Sequence, residues 1–308
     1  MGTLELETGP AKSEALFLKR LQHKFEDEQH NQQLEHLTTS QPDVQTKHIR
    51  ETCWNIKPVR ADLQDQRVCL TPRNHSDIKR YLEIETNVVS IDFSDHLTTS
   101  EVHSSLEIIN HFIKTAASLN KKVPAIMIQV GSISSQTLMV VGTYLFRNAN
   151  YLLSMRSAPY LILKGIDSYR TARVWKNMIS FAEGELSLVN GTVKAAVVID
   201  ESNWTECDDI LYELRNHSAG LRISTEDHDY ASEIVQSVIS VGHRRGSHVL
   251  CIRNAENISE VDVQPEAITG FDGMSIREVS AIEKVTSVWN LVMPESNQIW
   301  KKRINRLG

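Results

Sequence analysis

Side chains able to do acid–base or metal chemistry collect at a few places in this chain. The densest group is Glu226-Asp227-His228-Asp229, which follows an amphipathic stretch and a small-residue break at Ser218-Ala219-Gly220. Further carboxylates stand at Asp92, Asp95, Asp167, Asp200 and Glu201, with Gln129 and Lys164 as polar companions. Oxygen donors of this kind can hold a metal ion. The acid cluster is therefore either the rim of a site for a metal ion or an anionic substrate, or a solvated loop. The thiols offer less. Cys53, Cys69, Cys207 and Cys251 are widely spaced, form no CxxC pair and match no His/Cys zinc spacing. None has an activating neighbour in sequence, which argues against nucleophilic catalysis and fits a reducing compartment.

Most of these polar residues close short apolar runs. From about residue 86 the runs are NVVSIDF, PAIMIQV, PYLIL, VKAAVVID, SAGLRI, SHVLCIR and SVWNLVM. Between them lie helical patterns, such as Val102, Leu106, Ile109, Phe112 and Ile113 on one face, or Ala172, Trp175, Ile179 and Ala182 on another. Continuous apolar strands alternating with helices imply a covered parallel sheet. The runs fit a TIM-type (β/α)8 barrel with one strand unassigned, or an open doubly wound sheet. No GxGxxG follows any strand, which counts against a nucleotide-binding version of the latter. In a barrel, polar residues at strand C-terminal ends are the functional candidates. The expected organisation is an N-terminal helical segment and connection over 1–85 and the barrel over 86–308. Within the first part, residues 13–37 read as a surface helix capped by Ser13, with Leu16, Phe17, Leu21, Phe25 and Leu34 as its buried stripe.

Composition narrows the partners. The 308 residues are 41% hydrophobic and 23% charged, as in a folded globular chain, and the net charge of -6 gives no electrostatic reason to expect nucleic acid or an anionic membrane. No apolar run approaches the ~20 residues of a membrane span. The N-terminus has no signal-peptide core, Gly2 meets only part of a myristoylation motif, and the final Asn305-Arg306-Leu307-Gly308 is no peroxisomal address. A cytoplasmic location is the expectation.

Several blocks, in order, resemble the malate synthases of the shorter form: SEALFLKRLQHKFED, KHIRETCWNIKPVRADLQDQRVCLT, VVSIDFSDHLTTSE, APYLILKGIDSYRTARVWKNMISFAE, GTVKAAVVIDE, DDILYELRNHSAGL and GHRRGSH. The resemblance runs along nearly the whole chain. It implies a (β/α)8 barrel whose family reaction condenses acetyl-CoA with glyoxylate and hydrolyses the thioester to malate and CoA. A base removes a methyl proton, a guanidinium steadies the enolate oxygen, and Mg2+ polarises the aldehyde. By position the family's two Mg2+ ligands fall on Asp200 and Asp229. Acetyl-CoA and glyoxylate are the implied ligands, and a full-length paralogue is a conceivable partner.

Departures from the family pattern are concentrated at the chemistry. The family's arginines near the end of the strand MIQV are replaced, with Gln129 and Gly131 standing there. Ser94 occupies a Glu position between Asp92 and Asp95, and a Pro-Lys-Leu-Glu turn has become Lys164-Gly165-Ile166-Asp167. The glyoxylate turn reads EDHDY, and Leu250, Cys251 and Ile252 replace a small-residue wall, which should narrow the pocket. By the resemblance, the family's C-terminal helical domain with its general base is expected to lie beyond the barrel, and it is not matched within these 308 residues. These losses imply a catalytically impaired or inactive copy, the alternative being an active condensing enzyme with an altered site. His217 and His248 read as packed histidines, Arg244 and Arg245 as structural, and Trp54, Trp175 and Trp289 as core.

Overall fold

The computed structural model describes residues 10–38, 48–94, 97–225, 230, 232–253, 258 and 260–301. Eight parallel strands follow one another in chain order: β1 (Val68–Leu70), β2 (Val88–Asp92), β3 (Ala125–Val130), β4 (Tyr160–Leu163), β5 (Lys194–Ile199), β6 (Ser218–Ser224), β7 (Val249–Ile252) and β8 (Gly273–Ile276). They form a closed barrel, sealed where β1 pairs with β8 through Val68↔Met274, Cys69↔Ser275 and Leu70↔Ile276. Parallel neighbours need crossover connections. These contain α2 (Ile78–Leu82), α3 (Thr99–Ser118), α4 (Ser135–Ser154), α5 (Tyr169–Glu185), α6 (Cys207–Glu213), α7 (Glu233–Arg244) and α8 (Glu260–Thr269), while α9 (Ile282–Val292) follows β8.

Closure decides between the two sheet architectures in favour of the TIM-type barrel, and two strand assignments change. SVWNLVM falls in helix α9 and its C-terminal flank, not in a strand. Val285, Val288 and Trp289 are buried at three- and four-residue steps, the helical period. The eighth strand is instead the short GMSI, and the first is Val68–Leu70, hidden in a polar stretch. The barrel thus begins ahead of residue 86, and NVVSIDF supplies its second strand.

Alternation sorts the strand residues into two layers. Cys69, Val88, Ala125, Met127, Tyr160, Ile162, Ala196 and Leu250 pack together inside the barrel. Leu70, Val89, Ile91, Ile126, Ile128, Val197, Ile223 and Cys251 face the helices, among which Trp175 and Trp289 are fully buried. Serines at the helix starts fix the loops above the strands. Ser134, Ser168 and Ser232 each accept from a backbone N–H three residues on, and Thr98 with Glu101 forms a reciprocal capping box.

The N-terminal helix α1 (Pro10–Thr38) starts three residues before the expected cap, with Pro10 at its first position, where a missing N–H costs nothing. Phe17, Leu21 and Phe25 are buried, whereas Leu16 is largely exposed. The helix lies against α4 and α5. A Cβ on Gly142 would stand 2.6 Å from Leu18 Cδ2, so the close approach of α1 to α4 depends on that glycine.

Candidate active site

The C-terminal ends of the strands carry Asp92, Gln129, Lys164 and Asp200. Asp92 closes β2 in register with Gln129 of β3. Its Oδ1 accepts from the Ser94 backbone N–H at 2.8 Å and from Ser94 Oγ at 2.5 Å, and its Oδ2 accepts from the Gln129 side-chain amide. A neutral amide thus neighbours the carboxylate where the resemblance calls for a guanidinium. Lys164, at the end of β4, reaches past β3 to donate to Ser94 Oγ at 3.2 Å. Asp92, Ser94, Gln129 and Lys164 therefore form one hydrogen-bonded group across three strand ends. His75, unmarked by any motif, joins it. Its ring bridges Ser105 Oγ at 2.6 Å and the Asp92 carbonyl oxygen at 2.8 Å, partners 30 and 17 residues away in sequence.

Two glycines separate what the fold imposes from what it permits. Gly165 has φ +68°, a left-handed conformation, and a Cβ there would overlap the Ser132 side chain. The cation of this turn is therefore fixed at position 164. At Gly131 a Cβ would meet nothing closer than the Ser94 carbonyl oxygen at 3.6 Å, an ordinary contact. Packing does not exclude a side chain from the β3 tip.

Asp200 follows β5 and is exposed. Its Oδ1 accepts from Ser202 N–H at 2.8 Å and Ser202 Oγ at 2.5 Å, while its own N–H donates to Asn203 Oδ1 at 2.9 Å. Asn203 is buried and donates onward to the carbonyls of Ile166 and Val198, so the turn that presents Asp200 is anchored to two strand ends. Asp229, Asp95 and the rest of the Glu226–Asp229 cluster lie outside the described residues. Both flanks of that cluster are tied to one group. Glu266, fully buried, accepts from Thr225 Oγ1 at 3.1 Å, Tyr230 OH at 3.2 Å and Arg253 Nε at 3.0 Å. Burial raises the Glu266 pKa, with Arg253 opposing.

Mg2+ accepts one or two protein carboxylates and completes its octahedron with waters and substrate oxygens. Asp200 has the right donor chemistry and leaves Oδ2 outside these turn bonds; the other expected ligand, Asp229, lies outside the described residues. Among the described residues no group of three or more His, Cys, Asp or Glu side chains could hold a metal on its own. Asp167 serves the start of α5 instead, accepting from Ser168 Oγ and Thr171 Oγ1, and Glu201 is exposed.

Of the three bulky β7 residues, only part of the expected narrowing occurs. Leu250 faces the lumen, Ile252 is half-buried, and Cys251 points into the outer layer. The lumen also holds a residue that no motif signalled, Arg222 of β6, at 1% exposure. A cleft of about 550 Å³ opens at the opposite end of the barrel between the starts of β1–β3 and α9, and none of the predicted site residues lines it.

The remaining candidates are structural. His217 bonds Glu183 at 3.1 Å, and His248 bonds the Gln64 carbonyl at 3.1 Å. Arg245 and Arg244 both pair with Asp208. Trp54 is half-buried, donating to the Ile49 carbonyl beneath the Arg245 guanidinium. Cys207 and Cys251 are buried, which pushes both thiols up, away from the reactive thiolate form.

Known proteins share both the sequence pattern and the barrel. The family model described as malate synthase, TIM barrel domain, matches residues 121–256. Malate synthase from Myxococcus xanthus is 26% identical over 84% of this chain and 60% of its own length, and that from Dictyostelium discoideum is 25% identical over 83% and 60%. Malate synthase A of Escherichia coli is 27% identical over 61% of this chain and 40% of its own. The chain thus spans about 60% of the length of the first two relatives. The Haloferax volcanii malate synthase magnesium/glyoxylate complex superposes with a TM-score of 0.61 at 12% identity, covering 73% of this chain and 75% of that one, which is likeness of fold. The matched region runs from before β3 to beyond β7, through the strand ends that carry Gln129, Lys164 and Asp200, and over it this chain is similar to the malate synthase barrel.

Proposed function

We propose that this chain is a malate synthase-type barrel that keeps a metal- and carboxylate-binding mouth while its condensation of acetyl-CoA with glyoxylate is impaired. One observation carries the reading: the group beside Asp92 at the tip of β3 is the Gln129 amide, with Gly131 two residues on. An enolate oxygen gains most from a fixed positive charge, and loss of one such group typically costs ~100- to 1000-fold in rate. Asp200 with Asp229 would hold Mg2+, which when bound would polarise the aldehyde of a 2-oxo acid. This rests on donor chemistry and on the family, one of whose solved members is a magnesium/glyoxylate complex. Gln129 and Ser94 in turn hold Asp92 in place, removing much of its freedom to act as a mobile base.

A second reading, an active condensing enzyme with a relocated cation, is favoured by Lys164, whose ammonium lies within hydrogen-bond reach of Ser94 at the same mouth. One assay separates the two. Purified protein given acetyl-CoA, glyoxylate and Mg2+ is followed for free CoA thiol. The impaired copy releases CoA at least ~100-fold more slowly than the ~1 per second at the slow end of ordinary enzyme turnover. Turnover at ~1 to 1000 per second, abolished by Lys164→Met, would establish the second reading instead.

A further inference from the structure

Arg222 has an unusual environment for a cation. It extends from β6 across the barrel interior, where Nη1 donates to Ser275 Oγ at 3.0 Å. Its other contacts are sulfur: Cys69 Sγ at 3.5 and 3.4 Å and Met127 Sδ at 3.2 Å. Among the described residues Nε has no hydrogen-bond partner. Thiol and thioether are weak acceptors, so five N–H donors share a single oxygen. No carboxylate among the described residues pairs with this guanidinium. Arg245, the other fully buried arginine among the described residues, pairs with Asp208. A buried lysine or histidine in this position could shed its proton, but a guanidinium cannot. An unpaired buried ion is strongly unfavourable, so the lumen is held in a state that an incoming anion would relieve.

The surroundings select the anion. Met127, which touches Nη2, is in register with Ser90, whose buried hydroxyl bonds Thr71 Oγ1 at 2.6 Å. The walls otherwise are Ile162, Ala196 and Leu250. At the mouth Lys164 is a second cation, whereas the Asp92 carboxylate is already occupied by Ser94 and Gln129. We propose that Arg222 makes the upper lumen of the barrel a binding site for a small planar carboxylate, admitted at the C-terminal mouth past Lys164. The guanidinium fork matches a carboxylate in two parallel hydrogen bonds, and displacement of the flexible Met127 thioether opens the Nη2 side. The site does not depend on whether condensation occurs, because binding at Arg222 requires neither Mg2+ nor acetyl-CoA.

The test uses the full chain without divalent cations. Thermal unfolding is followed against sodium acetate and sodium glyoxylate, with sodium chloride at matched ionic strength as reference and inorganic phosphate as control. Wild type gains a carboxylate-dependent, saturating rise in melting temperature, as mass action requires for a ligand of the folded state. Arg222→Met, similar in length but neutral, is at least as stable as wild type without carboxylate, since replacing a buried ion by an apolar side chain is often neutral or stabilising. Its carboxylate affinity falls by roughly 10- to 100-fold, the equivalent of a charge-assisted hydrogen bond. A second measurement needs no variant: the Nε–H resonance of Arg222 in labelled wild type moves on titration with acetate. The proposal is overturned by an absent carboxylate response in wild type, an equal response in Arg222→Met, or a response to phosphate alone. None of these outcomes alters CoA release, so the reading above stands or falls separately.

Discussion

Arg245→Met tests whether the basic pair before the seventh strand serves the fold or a ligand. Arg245 is 3% exposed and Asp208 5%, and the guanidinium meets the carboxylate twice, at 2.6 Å through Nε and 3.0 Å through Nη2. The same head donates to the carbonyls of Thr52 at 2.8 Å, Ile49 at 3.1 Å and Arg50 at 3.2 Å, and stacks 4.3 Å from the Trp54 ring centroid. It therefore clamps the segment ahead of the barrel onto α6 and α7. Removing one partner of a buried pair costs about 3–5 kcal/mol because the other charge is stranded. Arg244, half-exposed, still reaches Asp208 Oδ2 at 2.6 Å and relieves part of that. The loss should fall near the lower bound, about 3 kcal/mol. Urea unfolding measures it, and in a double-mutant cycle Asp208→Asn should cost little more once Arg245 is gone. Arg244→Met, which removes only a half-exposed cation and leaves Asp208 paired with Arg245, should cost at most about 1 kcal/mol. If Arg245→Met unfolded less than 1 kcal/mol more easily yet bound CoA markedly more weakly, the structural assignment would be wrong.

Two further perturbations follow from single residues. Gly165→Ala should lower stability by about 1–3 kcal/mol, since alanine meets both a left-handed backbone and the Ser132 side chain, and a circular-dichroism melt unchanged from wild type would refute the strain. Burial of the His248 ring, outweighing the pull of Asp272, holds its pKa below the ordinary 6.5. The unfolded chain then binds the extra proton first, so His248 favours the folded state in full above pH 6.5 and progressively less as the pH falls below it. Urea midpoints from pH 7 down to 5.5 should decline more steeply in wild type than in His248→Asn, and parallel declines would remove His248 as the source.

The helical and apolar patterns announced the barrel because each long strand is buried on both faces and each crossover helix on one. NVVSIDF or VKAAVVID could hardly be anything else. The two strands that escaped are the shortest or most compromised. Val68–Leu70 has three residues, and β8 opens with Gly273, where a Cβ would run into the Gln66 backbone. SVWNLVM misled because a short apolar run carries no period by which to separate strand from helix. The strand-end residues Asp92, Gln129, Lys164 and Asp200 were legible from position alone. Their partners were not, since His75, Ser105 and Arg222 reach them or their surroundings through contacts distant in sequence.

The two glycines carry the physical sense of that division. Gly165 is demanded by backbone geometry, so its presence says nothing about chemistry. Gly131 is demanded by nothing in its surroundings, where a side chain would find only ordinary contacts. The β3 tip therefore has room at least for a Cβ at position 131, while the lumen carries an arginine whose one oxygen partner is Ser275. Function on such a barrel lives in the strand-end side chains and not in the scaffold. Resemblance of scaffold and identity of reaction are separate questions for this chain, and the second is decided by where positive charge stands relative to Asp92 and Asp200.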